Sequence, residues 1–220
     1  MRNKKVSVVS RRFKSEMENV EEYILKEAEK LFMKFGMRSV TMDDIAKHLG
    51  ISKKTIYANF KDKNELVNQL VSKVLKANEC HLSECVKEAD NAIEEVFLMM
   101  DFSKEMLSGI NPIVFVDLEK HHNKAFKLMM DFHQNRVFNT LKASLERGIK
   151  ERVFRDDINT DILASARIGQ INWIFESELL RSGKYSMYDI IYELTLHFLL
   201  GISTLSGFVI INNYQLNKNN

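Results

Sequence analysis

Residues 39–66 read SVTMDDIAKHLGISKKTIYANFKDKNEL, and their spacing predicts two short helices joined by a tight turn. Two pairs of apolar residues stand four positions apart, which places each pair on one face of a helix: Ile45 with Leu49, and Ile56 with Phe60. Gly50 lies between the pairs, and glycine readily adopts the left-handed conformation that ends a helix. We therefore expect helices over residues 42–49 and 53–60.

The starts of the expected helices carry side chains that can satisfy the first backbone N–H groups. Suitable N-cap residues stand at three positions: Thr41 with Asp44 three residues later, Ser52, and Asp62 with Glu65 three residues later. Helices as short as the first two are marginal in water on their own, so they must pack on a larger structure.

The second helix has a surface whose composition suits a DNA major groove. Besides Ile56 it carries two cations, two hydroxyl groups, an amide and one small residue: Lys53, Lys54, Thr55, Tyr57, Asn59 and Ala58. Side chains of these types bind base edges and phosphates, so the stretch predicts a helix-turn-helix whose second helix reads DNA. The alternative is a helical hairpin with an ordinary solvated face.

The stretch resembles the DNA-binding domain of TetR-type transcriptional regulators. The residues that match the family pattern are Thr41, Ile45, Ala46, Gly50, Ile51, Ser52, Thr55, Tyr57, Phe60, Lys63 and Leu66. Four residues depart from the commonest choice of the family, namely Leu49, Lys54, Asn59 and Asn64. The departures keep the hydrophobic skeleton, but Lys54 and Asn59 lie on the DNA-reading face, so the resemblance does not give the operator sequence. It covers the first third of the chain.

We predict that this region binds DNA through one set of side chains: Thr41, Ser52, Lys53, Lys54, Thr55, Tyr57, Asn59 and Lys63. Among them, Thr41, Tyr57 and Lys63 are expected to contact phosphate groups. The backbone N–H groups that follow Asp62 lie at the start of a helix, where anions bind, and they join Lys63 in this role.

Charge divides the chain into two unlike parts. Residues 1–76 contain 17 Lys/Arg and 10 Asp/Glu, a net charge of +7, whereas the remaining 144 residues contain 15 and 20, a net charge of −5. We therefore expect a DNA-binding domain over residues 1–62 and a second domain, which does not bind nucleic acid, over residues 63–220. One proline and eight glycines among 220 residues favour an all-α fold.

The chain has neither a signal peptide nor an uninterrupted run of about 18 apolar residues, so we expect a cytoplasmic protein.

The first fourteen residues hold only basic charges, from Arg2, Lys4, Lys5, Arg11, Arg12 and Lys14. This arm either follows the DNA backbone or a minor groove or is a solvated tail. A helix over residues 18–35 follows, ends at Gly36 and supports the two short helices.

A longer helix runs from Asp62 towards Cys85 and leads into a region rich in Phe and Met, residues 89–132, which Gly109–Pro112 divides into two helical pieces. Core packing explains such residues by itself, although methionine also suits a cavity that adapts to its contents. The TetR resemblance implies an effector pocket here, and the Phe and Met side chains suit an apolar or amphipathic effector. The candidate lining residues are Phe97, Met100, Phe115, Met129 and Trp173.

We predict no metal and no cofactor. Cys80, His81 and Cys85 are the nearest approach to a metal site, but consecutive residues 80 and 81 point about 100° apart on a helix and no fourth ligand is in view. The sequence also lacks a nucleophile–base pair and a phosphate-binding loop, so we expect no enzyme.

Three further helices are expected, over residues 134–150, 160–182 and 187–208, before a frayed tail at residues 212–220. The last two have little polar surface and predict a dimer interface, in agreement with the four-helix bundle that TetR-like regulators form. The alternative is an unusually apolar monomer core. Candidate interface residues are Ile162, Ala166, Gly169, Trp173, Leu194, Phe198 and Ile202. We expect an effector to change the fluorescence of Trp173; plain interface packing is the other role open to it.

The sequence therefore predicts an all-α, two-domain, homodimeric regulator, with a helix-turn-helix domain followed by an effector-binding and dimerisation domain. We expect a repressor that binds a palindromic operator and is released by a small molecule. The alternative is a nucleoid or division factor that binds DNA without a ligand, which a filled central domain would favour.

Overall fold

A computed structural model describes residues 20–107 and 110–218, and within these ranges the chain is helical and contains no strand. The predicted all-α fold is confirmed. The basic arm, the first two residues of the helix expected at 18–35, Gly109 and the last two residues of the expected tail lie outside the described residues.

The N-terminal helices are α1 (Val20–Phe35), α2 (Met42–Leu49) and α3 (Lys53–Asn59), and we call residues 20–60 the head. Gly50 has a φ of 65° and donates its N–H to the carbonyls of Ala46 and Lys47, which ends α2 as expected. The predicted capping box between Thr41 and Asp44 is present. Fully buried side chains from all three helices form the core of the head, including Ile24, Phe32, Ile45, Ile56 and Phe60.

The rest of the described chain, which we call the body, begins with α4 (Lys63–Glu88), the long helix predicted after Asp62. It continues through α5 (Ala92–Leu107), α6 (Ile113–His121), α7 (Asn123–Phe132), a π-helical turn (His133–Val137) and α8 (Phe138–Lys150). The last four are α9 (Thr160–Glu176), α10 (Glu178–Arg181), α11 (Met187–Ile202) and α12 (Leu205–Lys218).

The boundaries of the late helices differ from the prediction. The helix expected at 160–182 is split, because Ser177 leaves the helical conformation and its hydroxyl caps the short α10. The helix expected at 187–208 ends at Ile202, where the backbone turns to pair with the segment after α8: Arg155 N lies 2.9 Å from Ile202 O, and Thr204 N lies 3.0 Å from Val153 O. A frayed tail was the wrong prediction for residues 212–218, which are helical.

The head and the body meet in a polar and an apolar seam. The core of the head continues through Leu66 and Leu70 of α4 to Leu118 of α6 in one apolar cluster. Arg38 N of the head donates to Asp117 Oδ2 of the body over 2.7 Å.

Gly36 is at the centre of this seam. It has a φ of +84°, and a Cβ atom added to it would lie 2.8 Å from Cγ2 of Ile113. Both the left-handed backbone and the close approach of α6 require a residue without a side chain here.

Candidate functional site

Helix α3 is held to the head by Ile56 and presents a basic, hydroxyl-bearing face outward. Ile56 and the following Phe60 are fully buried, whereas Lys53, Lys54 and Tyr57 are exposed. Because α3 has only seven residues, its orientation depends on these two buried anchors.

Three of the predicted DNA-binding side chains, those of Ser52, Thr55 and Asn59, form hydrogen bonds within α3 and its N-cap. The hydroxyl of Ser52 accepts the N–H of Thr55 over 3.1 Å and lies 2.8 Å from the hydroxyl of Thr55. Asn59 donates from Nδ2 to the carbonyl of Thr55 over 2.8 Å. A base contact by Asn59 therefore requires this bond to be exchanged.

Two others are tied to neighbouring helices. Thr41 Oγ1 donates to Asp44 Oδ2 over 2.6 Å within the capping box. Lys63 Nζ lies 3.4 Å from the carbonyl oxygen of Arg38 and 5.8 Å from the centre of the Phe32 ring. Burial lowers the pKa of Lys63, and the charges of Asp117 and Asp44 oppose this shift.

The exposed side chains of α3 differ in whether they already have a bonding partner. Lys53 pairs with Asp43 of α2, and this hydrogen bond raises the pKa of Lys53. Neither Lys54 nor Tyr57 makes a side-chain hydrogen bond or ion pair with another residue in the described ranges. These two side chains are therefore the ones available to a ligand without any rearrangement.

A cavity of about 450 Å³ lies in the body and is bordered on part of its wall by the head. Its volume is in the range of small-molecule sites, roughly 300–1,000 Å³. Met33 and Met37 come from the head, and most of the remaining lining is Leu, Val, Ile, Met and Phe of the body.

Among the predicted pocket residues, Met100, Phe115 and Met129 line this cavity. Phe97 does not: it is 1% exposed in a separate cluster and stacks on Tyr214, with ring centres 3.7 Å apart. Trp173 does not either, because it is 48% exposed on the outer side of α9, while Phe175, two residues later, faces the cavity.

Four ionisable side chains that were not among the predicted pocket residues also line the cavity: Glu29, Cys85, His133 and Arg167. Burial raises the pKa of Glu29 and lowers the pKa of His133. Burial also lowers the pKa of Arg167, to about 10. The signal for Arg167 was present, since it is the single charged residue in the apolar run ILASARIGQINWIF at residues 162–175.

The predicted interface residues separate into two groups. Four form an exposed stripe along α9, namely Ile162, Ala166, Gly169 and Trp173. Of the three from α11, Ile202 is buried in the core, whereas Leu194 and Phe198 are half-buried: Leu194 packs against a core cluster and Phe198 lines the cavity. The correction has a simple cause, because an apolar helix gives no sequence signal for which face is inside.

Within the described ranges, no three His, Cys, Asp or Glu side chains are grouped as a metal site requires. Cys80 is exposed and Cys85 is buried, and His81 stacks on Phe102. No helix in the described part of the chain is both long and apolar enough to cross a membrane.

Comparison with known proteins connects this architecture to a family. Residues 24–70 match the description "bacterial regulatory proteins, tetR family". The HTH-type transcriptional regulator YvaF of Bacillus subtilis is 28% identical over 156 residues, 70% of this chain and 80% of that protein. The HTH-type transcriptional repressor KstR2 of Mycobacterium tuberculosis is 24% identical over 143 residues, 64% of this chain and 72% of that protein.

Solved structures share the fold. The ketosteroid regulator KstR2 superposes with a TM-score of 0.59 at 20% identity, covering 85% of this chain and 96% of that one. The regulator FadR of Bacillus subtilis in complex with stearoyl-CoA superposes with a TM-score of 0.63 at 18% identity, covering 81% of this chain and 97% of that one.

Proposed function

This chain is a transcriptional regulator of the TetR type, with residues 24–70 in its helix-turn-helix region, and we propose that it is a ligand-responsive repressor. It binds a palindromic operator in the cytoplasm as a homodimer, and a small apolar or amphipathic molecule releases it. In this proposal residues 1–62 bind DNA, residues 63–220 bind the effector and dimerise, and the chain is not an enzyme.

One observation supports ligand response above all: the head and the body line the same cavity. Met33 and Met37 of the head line it together with body residues such as Met100 and Phe115. A molecule in the cavity contacts both parts, so its affinity depends on how the head sits against the body. Such differential affinity is what allows a ligand to shift the equilibrium between DNA-binding and released states.

The proposed DNA contacts follow from the exposed face of α3. Lys54 and Tyr57 are free to reach bases and phosphates at once, and Lys53 exchanges its pairing with Asp43 for DNA. Ser52, Thr55 and Asn59 complete the set on α3, and Thr41 and Lys63 contact phosphate groups. The basic, hydroxyl-bearing face of α3 suits the major groove.

The proposed dimer uses the exposed stripe of α9. Ile162 is 65% exposed and Trp173 is 48% exposed, and the exposed Ala166 and Gly169 lie between them along the helix. Exposed apolar patches of this kind mark association sites, and two copies related by a twofold axis would present two heads to DNA.

Two of the similar proteins support the proposal of a repressor that is controlled by an effector. KstR2 is described as a repressor, and the FadR structure holds stearoyl-CoA, an amphipathic molecule. The cavity also weighs against a nucleoid or division factor without a ligand, because that alternative is favoured by a filled body.

The test is to select duplexes from a random-sequence library with the purified full chain and to measure binding by fluorescence anisotropy. We expect a palindrome whose half-sites lie one helical turn apart, roughly 34–36 Å, bound by two copies in sedimentation. Binding without sequence preference, with equal affinity for unrelated duplexes, would support the nucleoid alternative and contradict the repressor.

A further inference from the structure

The strongest unexplained group in the molecule is the guanidinium of Arg167, which is only 6% exposed and lines the cavity. Its neighbours are neutral. Nη1 donates to Gln170 Oε1 over 3.1 Å, Nη2 donates to the hydroxyl of Thr195, and the group lies 5.8 Å from the centre of the Phe198 ring. No carboxylate in the described residues forms an ion pair with it.

A buried charge normally has a partner of opposite sign, because loss of hydration disfavours the charged form. Burial lowers the pKa of Arg167 only to about 10, so the side chain remains a cation at neutral pH. A guanidinium has five N–H donors, and donors therefore remain beyond the bonds to Gln170 and Thr195.

The rest of the lining indicates what kind of partner fits. Among the described residues around the cavity, Arg167 is the only Lys or Arg. Glu29 and His133 also line the cavity, and burial raises the pKa of the Glu29 carboxyl and lowers the pKa of the His133 ring. The remaining surface is largely apolar and includes the adaptable side chains of Met99, Met100, Met106 and Met129.

We infer that the cavity binds a monocarboxylate with a long apolar tail, whose carboxylate pairs with Arg167 and whose tail lies along the methionines. The planar fork of arginine matches the two oxygens of a carboxylate, which favours this head group over a neutral one. A single cation suits a single negative charge, whereas a coenzyme A thioester brings several phosphate groups. The inference rests on the proposed effector site and names its ligand class.

The first experiment uses the unmodified full chain and isothermal titration calorimetry with four twelve-carbon probes: dodecanoate, 1-dodecanol, dodecyltrimethylammonium and dodecanoyl-coenzyme A. We expect dodecanoate to bind about tenfold or more tightly than 1-dodecanol, as a charge-assisted hydrogen bond allows. Equal affinity for the acid and the alcohol, or preference for the cation, would overturn the inference. Tightest binding by the thioester would assign Arg167 to a phosphate and overturn the carboxylate.

The second experiment compares Arg167→Gln and Arg167→Met with Arg155→Gln, which removes an exposed arginine of the body. The two Arg167 variants should lose the preference for acid over alcohol and still bind 1-dodecanol, while Arg155→Gln should behave as the unmodified chain. Retained acid preference in folded Arg167 variants would contradict the inference. If both variants misfold, the comparison of dodecanoate with 1-dodecanol on the unmodified chain still tests whether the cavity prefers a carboxylate.

Release of DNA is measured separately, so the two proposals can fail independently. Dodecanoate that binds through Arg167 but leaves the operator complex intact would contradict ligand-controlled repression and leave the carboxylate site standing. Release by 1-dodecanol and dodecanoate at equal affinity would support ligand control and overturn the role of Arg167.

Discussion

The head and the cavity differ in how their important side chains are placed. In the head, Thr41, Gly50 and Ser52 set the ends of short helices through bonds to residues at most four positions away. In the cavity, Met33, Phe115 and Arg167 come from helices far apart in the chain. A DNA-binding surface built on local caps can therefore be recognised in the sequence, whereas a cavity is decided by long-range packing.

The largest expected difference between the head and the cavity is in how much a truncated side chain lowers the stability of the protein. Phe60 is fully buried and anchors α3, so Phe60→Ala should lower the free energy of unfolding by about 3–5 kcal/mol and abolish DNA binding. Phe132 borders the cavity and is only half-buried, so Phe132→Ala should cost about 1–2 kcal/mol. Urea denaturation measures both. Equal costs would show that the body is packed as tightly as the head.

The next effect concerns assembly. A Cβ atom at Gly169 meets no atom within 4 Å in the described structure, so Gly169→Glu leaves the subunit fold unchanged. In the proposed dimer the same charge is buried without a partner and should weaken association by about 3 kcal/mol. Sedimentation should show a monomer that no longer binds the operator.

The control for assembly is Ala77→Glu, which adds the same charge to an exposed position of α4. It should remain dimeric. A Gly169→Glu chain that is as dimeric as this control would place the interface away from α9.

A smaller effect separates reading of bases from binding of phosphates. Lys63→Ala should weaken binding to all duplexes by about 1 kcal/mol and reduce the slope of log affinity against log salt by about one unit for each phosphate that the lysine neutralises. Asn59→Ala should change the preferred sequence, because the proposed complex has Asn59 exchange its bond to the Thr55 carbonyl for a base.

Anisotropy titrations at several salt concentrations, on the selected operator and on single-base variants of it, measure both effects. Equal and sequence-independent reductions in affinity from the two substitutions would contradict this division. Lys120→Ala removes an exposed lysine of α6 and is the matched control for Lys63→Ala.

The smallest effect is spectroscopic. The sequence predicts that an effector changes the emission of Trp173, but the side chain is half exposed outside the cavity. We now expect its emission to shift to shorter wavelength when the dimer forms, and to change little when dodecanoate binds. Dilution of the protein with and without dodecanoate measures the two responses. A large shift on ligand binding at constant dimer content would connect Trp173 to the switch.

These contrasts explain what could be predicted. The bounds of α2, the caps and the all-α fold follow from residues whose partners are close in the sequence, as Thr41 and Asp44 are. In α9 and α11, apolar residues occupy most positions, so the sequence does not distinguish Phe175 in the cavity from Trp173 outside it, or place Phe198 inward. The end of α11 at Ile202 depends on backbone bonds to residues 153–155, which no local pattern encodes.

Gly36 has a consequence for how such regulators can be recombined. The residue must be glycine because α6 occupies the space of its Cβ atom, and the next turn of the chain donates Arg38 N–H to Asp117 of the same helix. A head taken from another protein would have to fit against Ile113 and Asp117, which are positioned for this head. In a chimera, the head should therefore be exchanged together with α6. A chimera that exchanges only the residues up to 62 would pack a foreign head against an α6 that is complementary to the original one.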